Sequence, residues 1–254
     1  MHLNDLTRSR AVGLSIVIPV HNSATVLART VERWLDRLTS GHTEIILVEN
    51  GSTDITWALA QELARDNAHV TFQVTQSEKG MGNALRTGIH LSQGERVLLT
   101  ADDLPFDFAD VDAAEQLDPQ PDIVIGSKAH PSSEVNRHVH RHVYTYGYRM
   151  FRRTVLGSRV GDSQGTIIAD GEWLRRNVSH FDEPGFLFTT QLIFAAELQG
   201  ARIVEVPVVL SVDHSPKPSS VRFSDAWDMG VGLLRLRRRR AELSVQPSAV
   251  EAAA

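Results

Sequence analysis

Two periodicities alternate along the first hundred residues. Leu14-Ser15-Ile16-Val17-Ile18-Pro19-Val20 is a short β-branched run and reads as a central strand. After His21-Asn22-Ser23, with Ser23 as N-cap, Val26, Leu27, Val31, Trp34, Leu35 and Leu38 recur at helical spacing. Glu44–Val48 is a second strand. It ends in Glu49-Asn50-Gly51-Ser52-Thr53-Asp54, where Gly51 suits a tight turn and Thr53 or Asp54 caps a helix running through Leu63. Val70–Val74 is a third strand. The turn Glu78-Lys79-Gly80-Met81-Gly82-Asn83-Ala84 then opens a helix to about Leu91, and Val97–Thr100 is a fourth strand.

The second half is less regular. Asp122–Gly126 reads as a strand, 136–156 as a long basic and aromatic helix, and Val160–Thr166 as a loop. Phe188–Leu198 is an apolar helix, Arg202–Val206 and Val208–Val212 are short strands around Pro207, and Ala226–Leu243 is a final helix.

Strands alternating with helices predict parallel βαβ units. Pro19, Glu49 and the pair Asp102-Asp103 then fall at one carboxyl edge of the sheet, where open α/β sheets bind ligands. Two adjacent acids at that edge suit a divalent cation and a phosphorylated substrate. Composition narrows the choice. The chain has 254 residues and a net charge of −5, which argues against a general nucleic-acid binder. Without cysteine there is no disulfide and no thiolate ligand or nucleophile, which is compatible with a cytoplasmic location. Residues 1–13 lack the apolar core of a signal peptide, and no apolar run approaches the roughly 20 residues of a membrane span.

Several ordered motifs resemble those of the family 2 glycosyltransferases with the GT-A fold, most closely the polyprenyl-phosphate branch typified by dolichyl-phosphate mannose and glucose synthases. Ile16-Val17-Ile18-Pro19-Val20-His21-Asn22 is similar to that family's opening strand and its P-x-Y-N-E. Val48-Glu49-Asn50-Gly51-Ser52-Thr53-Asp54 resembles V-D-D-G-S-x-D, and Lys79-Gly80-Met81-Gly82-Asn83-Ala84 resembles K-G-x-G-x-A. Ala101-Asp102-Asp103-Leu104 falls where D-A-D-L belongs, Asp162-Ser163-Gln164-Gly165 resembles D-T-Q-x-G, and Gly200–Val208 resembles the closing G-x-R-I-x-E-V-P.

The resemblance implies an α/β GT-A domain over 14–212, a mostly parallel sheet flanked by helices, with a nucleotide-sugar half (14–104) and an acceptor half (105–212). Residues 1–13 would be loosely attached, 213–244 a linker and basic helix, and 245–254 a flexible tail. It implies an inverting glycosyltransferase using a nucleoside-diphosphate sugar. Pro19, Val20, His21, Glu49, Ser52, Lys79, Gly80 and Asp102 would contact the donor. Glu49 would accept from a nucleobase or ribose, and Lys79 with the Gly80 and Gly82 amides would support the diphosphate. Asp103, aided by Asp102, would hold Mg²⁺ or Mn²⁺ and serve catalysis.

On the acceptor side, Lys128, Arg141 and Thr145 would grip the phosphate of a polyprenyl phosphate. Arg141 and Thr145 are i,i+4 on one helix face. For a hydroxyl acceptor, a glycan or small metabolite, Asp162 would be the base. The chain departs from the pattern at Ser23, Asn50 and Ala101, where family acids are replaced, at Thr189 and Gln191, which stand in place of F-D-x-E, and at Pro105. These replacements frame another alternative, a nucleotide-sugar-binding protein without turnover. Finally, Trp227, Val231 and Leu234 share a helix face followed by Arg235 and Arg237–Arg240, a pattern suited either to peripheral contact with the inner membrane surface or to core packing with a C-terminal cation cluster.

Overall fold

The computed structural model describes residues 12–38, 42–134, 139–210 and 223–246, with the backbone alone at 139–146 and 223–228. The expected N-terminal segment, the linker after 212 and the tail therefore lie largely outside the described residues.

Strands β1 (Leu14–Val20), β2 (Thr43–Glu49), β3 (Thr71–Gln76) and β4 (Arg96–Leu99) alternate with helices α1 (Leu27–Arg37), α2 (Thr56–Asp66) and α3 (Met81–Leu91). Then come α4 (Ala109–Glu115), β5 (Ile123–Ser127), α5 (Val139–Leu156), β6 (Thr166–Asp170) and α6 (Gly171–Asn177). Helix α7 (Leu187–Leu198), strand β7 (Ile203–Pro207), α8 (Phe223–Arg238) and α9 (Arg240–Leu243) close the chain. The seven strands form one sheet in the order β3-β2-β1-β4-β6-β5-β7. All pairings are parallel except those of β6, which runs against both β4 and β5.

The central strands carry apolar residues on both faces because helices cover both faces. Val17 of β1 and Ile46 and Val48 of β2 join the core beneath α3 and α7. Ile16, Ile18 and Val20, with Ile45 and Leu47, join the core beneath α1 and α2. Helix α3 lies so close to β1 that a Cβ on Gly88 would come within 2.3 Å of the Val17 side chain.

Three elements, α4, β6 and α6, have no counterpart in the sequence pattern. Conversely, a strand is expected over Val208–Val212, but the described part contributes a single bridge, Glu134 to Val209. Ser23 is not the N-cap of α1: the helix starts after Val26, and the Ser23 hydroxyl is used elsewhere. The reversal of β6 brings a further loop to the ligand-binding edge. Its register pairs Leu99 with Ile167 and Gly126 with Thr166, so the N-terminal end of β6 lies at the same sheet edge as the C-terminal ends of β4 and β5.

Candidate active site

Five turns meet along that edge: 19–23 after β1, 49–54 after β2, 101–104 after β4, 126–128 at the end of β5, and 162–165 before β6. The first two are stitched together. The Asn22 amide donates to Ser52 Oγ (3.0 Å), and the Thr53 amide donates to Asn22 Oδ1 (2.8 Å). Asn22 adopts φ 50°, a left-handed conformation that asparagine tolerates. Asn50 is 5% exposed and does structural work in place of an acid. Its Nδ2 donates to the Val20 carbonyl (3.0 Å), its Oδ1 accepts from Gly80 N (3.3 Å), and its carbonyl is 3.1 Å from His21 Nδ1. A carboxylate at 50 could not make the first of these bonds.

Glu49 is 3% exposed, and both its oxygens are engaged, one by the Ser52 amide and one by Gln76 Nε2 (2.8 Å). Burial pushes its carboxyl up, but hydrogen bonds from Ser52, Gln76 and the Gly51 amide outweigh this and hold it below its ordinary value. Asp54 is likewise held down, chiefly by the Thr56 hydroxyl, as it closes the turn into α2.

The Lys79–Gly82 turn departs from the expected phosphate cradle. Gly80 N–H goes to Asn50, and the Gly82 and Asn83 amides both donate to the Pro184 carbonyl (2.8 and 3.2 Å). Cβ atoms on Gly80 and Gly82 would come within 2.3 Å of Pro184 O and 2.1 Å of Glu183 O. The glycines are explained by this close approach of another chain segment, and the first amides of α3 are satisfied by protein. Lys79 itself is exposed, its stem against Gly51, where a Cβ would sit 3.2 Å from Lys79 Cβ.

The acid pair follows the end of β4. Asp102 is turned back toward α1: its carboxylate accepts from the Ser23 hydroxyl, and its carbonyl accepts from Thr30 Oγ1 (2.7 Å). The nearby Leu104 holds φ 43° with its side chain 3% exposed in the core, an uncommon conformation for a leucine that fixes the turn. Beyond it Asp107 pairs with Arg33, and Phe108 packs edge-on against Trp34 at 4.8 Å, so α1 clamps the segment that carries the acids. Among the described residues no three His, Asp or Glu side chains converge as a metal site. One or two carboxylates completed by substrate phosphates are nevertheless a usual arrangement for Mg²⁺, and Asp103 with Asp102 fits that donor set.

The turns at the end of β5 and before β6 are joined by Asp162. Its Oδ2 accepts from Lys128 N (3.1 Å), and its Oδ1 accepts from Gln164 N (2.9 Å). The Lys128 ammonium lies 5.4 Å from the centre of the Phe106 ring. Arg141 and Thr145 fall on α5, but their side chains lie outside the described residues, as does His138. Thr189 and Gln191 face inward. Gln191 is fully buried, donating to His180 O (3.1 Å) and Asp182 Oδ1 (2.9 Å) and accepting from Glu183 N, so it fixes the segment that caps α3.

The arginine-rich helix packs against the core through part of its length. Leu233 and Leu236 are buried. Arg237 donates to the Val155 carbonyl (2.8 Å), Arg239 pairs with Asp182 and Glu242, and Arg235 lies 3.5 Å from Glu183. Val231 and Leu234 face outward at 46% and 48% exposure, while the Trp227 side chain lies outside the described residues.

Asp110 carries no motif that sequence reasoning could use. It is 3% exposed beneath the β5–β6 rung, where it accepts from the Val111 amide (2.9 Å) and from Thr166. Burial pushes its carboxyl above the ordinary value. The ionised form therefore destabilises the fold at neutral pH, and the penalty is relieved as pH falls toward the unfolded value near 3.8. Asp110→Asn, which keeps an accepting oxygen without the charge, is expected to raise the melting temperature at pH 7. The gain should shrink steadily toward pH 4 in thermal unfolding.

Comparison with known proteins agrees with this geometry. The glycosyl transferase family 2 model matches residues 15–183. The human dolichyl-phosphate beta-glucosyltransferase is 28% identical over 247 residues, covering 89% of this chain and 75% of that protein. The polyprenol monophosphomannose synthase of Mycolicibacterium smegmatis is 30% identical over 212 residues, covering 77% and 76%. Among solved structures, glucosyl-3-phosphoglycerate synthase from Mycobacterium tuberculosis in complex with UDP superposes with a TM-score of 0.62 at 17% identity, over 93% of this chain and 82% of that one. The same enzyme with Mn²⁺, UDP and glucosyl-3-phosphoglycerate gives 0.63 at 16% identity, over 93% and 81%. With its seven-stranded GT-A sheet and motif turns gathered on one edge, the chain belongs to glycosyl transferase family 2 and is a glycosyltransferase.

Proposed function

We propose that this enzyme transfers a sugar from a nucleoside-diphosphate sugar to a polyprenyl phosphate with inversion. The observation that carries the reading is the single edge on which the donor-side turns, the acid pair and the Asp162–Lys128 bridge all lie. Relatives named for dolichyl-phosphate and polyprenol substrates support the acceptor.

In this reading the stitched 19–23 and 49–54 turns hold the nucleoside, with Pro19, Val20, His21, Glu49 and Ser52, and Lys79 places a positive charge beside the diphosphate. Asp103 and Asp102 would hold Mg²⁺ or Mn²⁺, which when bound supplies charge compensation to the departing diphosphate. An acceptor phosphate oxygen attacks C1 of the sugar as the C1–O bond to the diphosphate breaks, and the nucleoside diphosphate leaves. A phosphate monoester, with a second pKa of about 6, is already largely ionised and needs positioning more than a base. Lys128, Arg141 and Thr145 provide it, and Asp162 orients the Lys128 turn. No helix among the described residues is long and apolar enough to cross a membrane. The outward-facing Val231 and Leu234 with the flanking arginines would meet a lipid acceptor at the inner membrane surface.

A second reading, a soluble hydroxyl acceptor, is favoured by one observation: Asp162 is a carboxylate on the acceptor side that could take the proton. The test is thermal unfolding with UDP, GDP, dTDP and CDP, each with and without Mn²⁺, followed by transfer assays with polyprenyl phosphate and with soluble acceptors. A nucleotide at about 100 times its dissociation constant should add roughly 2.7 kcal/mol of stability. A shift with one base, larger with Mn²⁺, and transfer to polyprenyl phosphate that Arg141→Ala abolishes are the expected results. No shift with any nucleotide, or transfer only to soluble hydroxyls with Arg141→Ala silent, would overturn the favoured reading.

A further inference from the structure

The loop that carries Asp162 is gripped by side chains of three elements, α5, α7 and β7. Four consecutive backbone N–H groups are taken by two carboxylates from different elements. Glu197 Oε1, on α7, accepts from Arg159 N (2.7 Å) and Val160 N (3.3 Å). Glu205, on β7, accepts from Gly161 N through Oε2 (2.7 Å) and from Asp162 N through Oε1 (3.0 Å). From the other side, Arg152 of α5 reaches the loop's carbonyls. Its Nη2 donates to Val160 O and Gly161 O, and its Nη1 donates to Ser158 Oγ (2.7 Å).

Arg152 is 2% exposed, so the fold buries a guanidinium at substantial desolvation cost. Simple packing of α5 would be served by an apolar side chain. What only the planar fork can do is hold a hydroxyl and two successive carbonyls at once. Glycine at 161 eases the approach of Glu205 to two successive amides: a Cβ there would lie 3.0 Å from both Glu205 Oε1 and Ala129 Cβ. Val160 O and Gly161 N share one peptide plane and Gly161 O and Asp162 N share the next, so Arg152 and Glu205 grip both planes flanking Gly161 from opposite edges. Together they set the direction in which the Asp162 side chain leaves the backbone. Asp162 then holds Lys128 N, so the same grip extends to the end of β5.

We propose that Glu205 and Arg152 are positioning residues that act through Asp162 to place the acceptor, leaving the donor half untouched. This rests on the reading of the Asp162–Lys128 turn as the acceptor side. A displacement of about 1 Å at a reacting group can cost on the order of 10²-fold in rate. Glu205→Gln replaces one accepting oxygen with an amide that cannot accept an N–H. It is expected to lower kcat/KM for the acceptor by about 10²-fold, while the donor KM and the thermal shift with nucleoside diphosphate stay at wild-type values.

The deciding experiment is a double-mutant cycle on the full chain, with Asp162→Asn, Glu205→Gln and the pair assayed for acceptor and donor kinetics. If Glu205 acts through Asp162, the pair is no slower than Asp162→Asn alone. If the two losses multiply, or if Glu205→Gln weakens donor binding as much as acceptor use, the proposal is overturned while the acceptor-side reading stands. If Asp162→Asn keeps wild-type acceptor kinetics, that reading falls and takes the proposal with it. Should Glu205→Gln not fold, Arg152→Lys tests the same axis: a point charge cannot span Ser158 and both carbonyls, so the same acceptor-specific loss is expected.

Discussion

Asp103→Asn is expected to lower turnover by about 10²-fold, the equivalent of nearly 3 kcal/mol of transition-state stabilisation, with a smaller change in melting temperature than Asp102→Asn produces. Ala101 stands where the family pattern has an acid, so in the proposed reading its work would fall to the remaining acids. Asp102 is the nearer substitute by chemistry, but its carboxylate accepts from the Ser23 hydroxyl and its carbonyl from Thr30 Oγ1, contacts that join β4 to the start of α1. Its charge is spent partly on structure. In the proposed reading the charge that balances a departing diphosphate falls mainly on Asp103, which stands at the second acid of the D-A-D-L pattern. The two substitutions should separate. Asp103→Asn should remove the Mn²⁺-dependent part of the nucleotide-induced thermal shift and most of kcat. Asp102→Asn should lower the melting temperature, with a smaller effect on kcat. Initial rates and thermal unfolding on both variants check this, and a larger kcat loss at Asp102 would reverse the assignment.

The first hundred residues are legible in the sequence because each element there announces itself locally. Strands β1 and β2 are continuous apolar runs, and the alternation within them matches two cores, Val17 facing one and Ile16 and Ile18 the other. The reversal at β6 is not legible. Thr166–Asp170 is five residues with no partner pattern of its own, and its direction is set by pairing with β4 and β5. Two local signals also mislead. Ser23 looks like a helix cap, but a long-range partner, Asp102, takes its hydroxyl. Lys79–Gly82 looks like a phosphate cradle, but its Gly80 amide is taken by Asn50 and its Gly82 amide by the Pro184 carbonyl, far along the chain. Glu205 lies within the closing motif with no task that the motif states, and Arg152 is one cation among several on α5. Their work is on the backbone of the Asp162 loop, which no side-chain pattern encodes.

Gly165→Ala is expected to cost about 3 kcal/mol of stability, a fall of roughly 6–12 °C in melting temperature for a chain of this length, and to remove most activity in the protein that still folds. A Cβ at 165 would lie 1.9 Å from the Gly126 carbonyl oxygen and 3.0 Å from its carbon. Both are main-chain atoms in a paired strand, so no rotamer change relieves the contact. Asp110 packs beneath Gly126 and opposes its retreat: a Cβ at 126 would lie 2.7 Å from Asp110 Oδ2 and 2.8 Å from its Cβ. The strain therefore opens β5 from β6 at the rung that pairs Gly126 with Thr166. That rung lies between Lys128 and Asp162, which are joined by a single 3.1 Å hydrogen bond. Separating them by even about 1 Å is enough to cost on the order of 10² in rate. Gly185→Ala is the control: nothing lies within 4 Å of its Cβ position, so near wild-type stability and rate are expected. Thermal unfolding with acceptor kinetics decides the matter. If Gly165→Ala melts early yet keeps its kcat, the Asp162–Lys128 contact belongs to the fold and the acceptor must be held elsewhere on the edge.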